Sequence, residues 1–251
     1  MRLVTLLILV AIGGAVGYVV FFQWGTVKDW FSKGTLAAQG YTPAKTPSDA
    51  MEQFVKAITD RNYRAAAVYC AGDYGEYLQK ANDGAAAVGA DVDKVSNLML
   101  EKGLRTDKCE VLLLLVDPFP PKFRVREVKK KDEQKALGTF HAELGPALGQ
   151  VDLTSELKTM DPKVLQSVLL PPSMYRGQAV EIVAEGTGDD ARWKLNFPLS
   201  EKQRDAINHF ISNYRSYVTA LDTVVTDLRQ GRYAGRREFE QDLFSRVRGA
   251  K

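Results

Sequence analysis

A chain of 251 residues, 45% hydrophobic and 26% charged, has the material for a sizeable core and excludes wholesale disorder. A net charge of +3, from 34 basic and 31 acidic residues, is too small to mark a nucleic-acid binder. Two cysteines and two histidines, scattered along the chain, do not form a zinc-ligand set, and no metal or cofactor is expected.

The charge is uneven. Residues 122–135 carry seven basic and three acidic residues, and residues 229–251 carry the same numbers. These two net +4 stretches leave the remainder at about −5. Neither interleaves its basic residues with stacking aromatics, so nucleic acid is a poor reading for both.

Residues 3–22, LVTLLILVAIGGAVGYVVFF, contain no charged residue. Twenty helical residues span about 30 Å, the thickness of a bilayer's hydrocarbon core. Trp24 and Trp30 follow, as interfacial aromatics do. Phe21, Phe22, Gln23 and Trp24 occupy the place where a signal peptide would carry small residues for cleavage. The expectation is an uncleaved transmembrane anchor over residues 1–24. A short N-terminal tail before a large domain favours an extracytoplasmic soluble part. Residues 25–46, broken by Gly25, Gly34, Gly40 and Pro43, read as a membrane-proximal linker.

Thr46-Pro47-Ser48-Asp49 is a helix start: Thr46 caps, Pro47 suits the first turn, and Asp49 complements the dipole. Met51, Phe54, Val55 and Ile58 form one apolar stripe. The short corner Asp60-Arg61-Asn62 follows, with Asn62 able to cap a second helix whose Ala65, Ala66 and Ala67 permit close approach. A further amphipathic stretch, Asp91–Leu104, ends near Gly103.

The pattern then changes to strands. CEVLLLLV, 109–116, is a continuous apolar run expected of a central strand. Residues 122–128 and 136–144 flank the charged corner Lys129–Lys135 as one hairpin. QAVEIVAEG and ARWKLNF flank residues 187–190 as a second. In that second hairpin Val180, Ile182, Ala184, Trp193, Leu195 and Phe197 share one face, and Glu181, Glu185, Arg192 and Lys194 the other. Residues 145–176 read as short helices. Cys70 closes a helix and Cys109 opens a strand. They could pair outside the cytoplasm or stand as two separate buried thiols.

Ser200-Glu201-Lys202-Gln203 is a capping box. Behind it Ile207, Ile211, Tyr214, Val218, Leu221, Val225 and Leu228 alternate in spacings of four and three. Such a seam either lies on the protein's own sheet or joins two chains as a coiled coil over 207–228. Gly231 stops it, and a basic helix of roughly 236–248 follows.

Helices followed by about five strands make an α+β order. TPSDAMEQFVKAITDRNYRAAAVY, 46–69, resembles the opening of the nuclear transport factor 2-like superfamily, the cone fold of ketosteroid isomerases and polyketide cyclases. The stripe is Ala50, Phe54 and Ala57, and the corner is Asp60-Arg61-Asn62. ARWKLNF, 191–197, resembles that superfamily's late strand with an inward Trp193. The resemblance covers about 30 residues and signals a fold rather than an activity. It implies helices on a curved antiparallel sheet, often around an apolar pocket. The domain plan becomes an anchor at 1–24, a linker at 25–46 and a cone-like domain at 47–199 with a helical insert at 145–176. C-terminal helices occupy 200–251.

The superfamily's enzymes place acids and bases inside the cone. The residue available for that role is His141, on the polar side of its strand, where plain exposure is the ordinary explanation. Tyr63, Tyr69 and Trp193 are the candidates for lining a pocket. Tyr74 and Tyr77 belong to the same tyrosine cluster, for which core packing with hydroxyls at the rim is the ordinary reading. Known motifs for hydrolysis, nucleotide binding and metal chemistry are absent from the sequence. The expectation is a membrane-anchored, non-catalytic binding or assembly module of a cell envelope. It would hold an apolar small ligand or a partner protein. The alternatives are an isomerase- or cyclase-type enzyme and a homodimer through helix 203–228. The bilayer would be met through residues 3–22, and anionic lipid through Lys129, Lys130 and Lys131.

Overall fold

The computed structural model describes residues 36–104, 117–119, 123–142, 169–171, 173–174, 177–186 and 188–249. The chain divides into two compact units, Met1–Thr42 and Pro43–Lys251. Of the first unit, the described residues 36–42 form a hydrogen-bonded turn closed by Gly40, whose φ of 80° suits glycine.

The second unit begins with α1, Pro47–Thr59. Its N-terminus carries a complete capping box, in which the Thr46 hydroxyl accepts from the Asp49 amide and the Asp49 carboxylate accepts from the Thr46 amide. Met51, Phe54 and Ile58 of the expected stripe are buried, with Ala50 and Ala57 beside them, while Val55 is half-buried. The short α2, Tyr63–Val68, is capped by Asn62, whose side chain accepts from the Ala65 amide. Strand β1, Cys70–Ala71, leads into the 29-residue α3, Asp73–Glu101. The amphipathic stretch expected at 91–104 is the C-terminal third of this helix, not a separate element. Three glycines and a run of alanines weaken its apolar pattern, and burial against other helices sustains it.

Strands β2, Phe123–Lys130, and β3, Lys135–Ala142, form the first hairpin. Asp132 stabilises its tip by accepting from the Gln134 and Lys135 amides. Strands β4, Val180–Glu185, and β5, Arg192–Asn196, form the second hairpin in the expected register, with Ile182 opposite Leu195 and Ala184 opposite Trp193. Helix α4, Glu201–Arg229, starts at the Ser200–Gln203 capping box, and α5, Arg236–Gly249, follows the Gly231 stop.

The sheet order is β1-β5-β4-β3-β2. Two corrections to the expected fold class follow. The sheet is mixed rather than antiparallel, because β1 pairs with β5 in parallel, Cys70 opposite Leu195. The fifth strand comes from a residue pair read as a helix end. Two residues carry no alternation to detect, and their pairing depends on a partner more than 120 residues away. The long helix α3 makes the return crossover a parallel pair requires. The expected strand at 109–116 lies outside the described residues, as does most of 145–176.

The second correction concerns the expected transmembrane helix. No helix of the described residues is long and apolar enough to cross a membrane. Helices α3 and α4 have the length, about 43 Å each at 1.5 Å per residue, but both are amphipathic, with charged outer faces. Residues 3–22 lie outside the described residues.

Helix α1 packs on the sheet, and α4 packs along α3. The apolar seam of α4 therefore lies on another helix of the same chain and not on the sheet. Tyr214 is seated where Gly84 leaves room: a Cβ on residue 84 would lie 2.6 Å from the Tyr214 Cγ. The buried stripe keeps Ile207, Leu221, Val225 and Leu228 of the seam, leaves Ile211, Tyr214 and Val218 half-buried, and adds Phe210, Tyr217 and Val224.

Candidate functional site

The inner face of the sheet meets α1 through close-packed rings. Phe54 lies 5.4 Å from Phe197 and 6.2 Å from Phe140, ring centre to ring centre, and Tyr74 stands edge-on to Phe197 at 5.3 Å. A Cβ on Gly138 of β3 would overlap the Met51 sulfur. Side chains of the fold itself therefore fill the space between α1 and this part of the sheet. The Tyr74 hydroxyl is fully buried and has no hydrogen-bond partner. Burial pushes it well above its ordinary pKa, so it is a neutral phenol and not a base.

The pocket candidates occupy three places. Tyr63 is buried at the start of α2, with its ring 5.1 Å from Phe119 and its hydroxyl donating to the Phe119 carbonyl at 3.4 Å. Tyr69 is buried at the end of α2, and its carbonyl accepts from the Leu195 amide at 2.8 Å. Trp193 is buried on β5, and its amide donates to the Ala44 carbonyl at 3.0 Å. Each has a packing role in the core. His141 is half-buried on β3, opposite Arg124. His209 is exposed on α4. Cys70 is a free, buried thiol, raised in pKa by that burial, and hence unreactive. Cys109 lies outside the described residues. Among the described residues no group of three or more His, Cys, Asp or Glu could hold a metal ion.

The outward face of the sheet is different. Lys135 lies 3.4 Å from Glu181, the Asn196 amide donates to Glu181 at 3.1 Å, and Lys194 pairs with Glu185 at 2.6 Å. Hydrogen bonds from Asn196 and Lys135 hold the Glu181 carboxyl below its ordinary value. Between these charges Leu137, Thr139 and Val183 are half-exposed. At the hairpin tip Lys129 pairs with Glu127 at 2.9 Å, and Lys130 and Lys131 are exposed.

The polar centre that sequence reasoning missed is the corner itself. Arg61 is the only described non-glycine residue at positive φ, 52°, a costly conformation for a side-chain-bearing residue. Its guanidinium turns inward and is only 13% exposed. Nε and Nη2 donate to the two Asp93 oxygens at 3.1 and 2.9 Å, and Nη1 donates to Asp117 Oδ2 at 2.8 Å. The head group lies against Gly89, where a Cβ would overlap it. Asp117 is 2% exposed. Burial pushes its carboxyl above the ordinary value against the pull of Arg61. Burial also opposes the Arg61 charge, but Asp117 and Asp93 outweigh it and keep the guanidinium protonated. Asn62, read as the cap of the second helix, does cap it, and Asp60 ends α1 and pairs with Lys56. The partners of Arg61 lie 32 and 56 residues away, so no local spacing could reveal them.

A second ion network joins α4 to α5. Asp227, buried on α4, accepts from Arg232 at 2.8 Å and from Arg246 at 3.1 Å. Arg246 also binds both oxygens of Asp242, and the Tyr233 hydroxyl donates to Asp242 at 2.7 Å. The basic C-terminal stretch, residues 229–251, is thus in part an internal fastening. Compared with protein-family models, curated proteins and solved structures, the chain matches none.

Proposed function

We propose that this chain is a non-catalytic assembly module with a cone-type fold, and that it meets a protein partner on the outward face of its sheet. One observation carries the reading. The inner face is filled by Met51, Phe54, Phe140 and Phe197, while the outward face keeps Leu137, Thr139 and Val183 half-exposed among paired charges. Apolar side chains rimmed by polar ones are the usual make-up of a protein contact surface. The filled interior weighs against an apolar small ligand in this part of the cone. It weighs equally against the isomerase or cyclase alternative, which needs an open chamber between α1 and the sheet. The homodimer through 203–228 loses its main support, because the seam of α4 is used on α3.

The test is a photo-reactive amino acid placed at Val183, at Leu137 and, as control, at exposed Glu52 on α1, in the full chain in its native cells. One discrete cross-linked product from positions 183 and 137, absent from 52, is the expected result. No product from the sheet positions, or the same product from all three, overturns the reading.

A further inference from the structure

Residues 117–119 enter the core as a single inserted ring. Phe119 is 1% exposed and lies between Tyr63 of α2 and Phe210 of α4, 5.1 and 5.8 Å away, ring centre to ring centre. Its backbone is not held by a sheet ladder. The Phe119 amide donates to Asp117 Oδ1 at 3.0 Å, Tyr63 donates to its carbonyl, and the Leu169 amide donates to the Pro118 carbonyl at 2.7 Å. The other Asp117 oxygen takes Arg61, and Arg61 runs on to Asp93, which is 59% exposed. A chain of charges therefore joins the base of the ring to the surface of α3.

Burying an aromatic ring needs no such chain. A buried ion pair loses hydration on folding, and apolar replacements of similar volume often match or exceed its stability. The strained Arg61 backbone adds a further cost. A charged fastening differs from an apolar one in a specific way: it holds in one geometry and lets go when one partner is lost.

We propose that Arg61, Asp93 and Asp117 form an ion latch, and that Phe119 is a plug which the latch holds between α2 and α4 and which can leave that slot while the sheet stays folded. The ionisable groups facing Asp117 are Arg61 from the corner, Asp93 from α3 and Tyr63 from α2. The inference does not depend on the assembly reading, since Arg61, Asp93, Asp117 and Phe119 all lie outside the sheet strands.

Amide hydrogen exchange of the full chain tests it, with the Phe119 and Leu169 amides compared with Ala184 and Leu195 in the sheet hairpin. Local opening predicts that Phe119 and Leu169 exchange at least ~10-fold faster than the sheet amides in the unaltered protein. D117N retains an oxygen for the Phe119 amide but loses the charge. It should speed the plug amides a further ~10-fold and leave the sheet amides unchanged. D93N alters only the exposed end and does not threaten folding. It should speed the plug amides by a smaller factor, on the order of threefold. Equal exchange of plug and sheet in the unaltered protein overturns the proposal. So does a D93N variant that shifts neither set, or one that shifts both together.

Discussion

The two ion networks use the same residue types and sit in opposite surroundings. At the α1–α2 corner one arginine faces a carboxylate that is 2% exposed, and the arginine's backbone is itself strained. At the α4–α5 junction two arginines, 63% and 35% exposed, share Asp227. In the first, Arg61 and Asp117 are far from water, and only Asp93 reaches it. In the second, the loss of one partner leaves another, and solvent covers part of the difference. The number of ion pairs therefore says little about their worth, and burial together with redundancy decides it.

R61A should have the largest effect. It leaves Asp117 buried without its cation, and a cost of about 3–5 kcal/mol in denaturant unfolding at neutral pH is expected. A cost as small as that of an exposed pair would erase the contrast. G89A comes next. Alanine is a better helix residue than glycine by ~1 kcal/mol, yet its Cβ would overlap the Arg61 guanidinium, and a net loss of about 1–3 kcal/mol is expected. In an R61A background the same substitution should turn stabilising, and that change of sign would place the Arg61 seat on Gly89. R246A should cost about 1–2 kcal/mol, since Asp227 retains Arg232. R232A should cost under ~0.5 kcal/mol because its side chain is largely solvated.

The networks should also respond to pH in opposite directions. The Asp117 carboxyl is raised above its ordinary 3.8 by burial, so its contribution is fully present below that value and is lost as pH rises through the folded value. Burial works the same way on Asp242, but hydrogen bonds from Arg246 and Tyr233 outweigh it and hold this carboxyl low. Its contribution is present above the ordinary value and lost as pH falls through the lowered one. The stability difference between the unaltered protein and D117N should therefore shrink from acid toward neutral pH. The difference from D242N should grow. Parallel slopes in the two urea titrations would remove the physical basis of the comparison.

The local elements were legible because their signals are local. The Thr46 and Ser200 capping boxes, the Asn62 cap, the Gly231 stop and the alternation of the β4–β5 hairpin each lie within a few residues, and the structure contains all of them. The corner Asp60-Arg61-Asn62 was legible as a turn and not as an ion centre. Arg61 could equally have pointed into solvent, and nothing in its neighbours marks the inward choice. The candidate residues Tyr63, Tyr69 and Trp193 were visible as buried aromatics, but which cavity or ring each would meet was not.

Sequence alone determined the α+β class, the ends of most helices, the inward and outward faces of the second hairpin and the lack of recognised catalytic motifs. Periodicity, capping and turn chemistry act over a single turn or strand. Tertiary structure alone decided that Cys70–Ala71 joins β5 in parallel, that the seam of α4 is used on α3, and that Arg61 reaches Asp93 and Asp117. Each of these joins residues tens of positions apart. Their geometry exists only after the chain has closed those loops, and a window of neighbouring residues carries no trace of it.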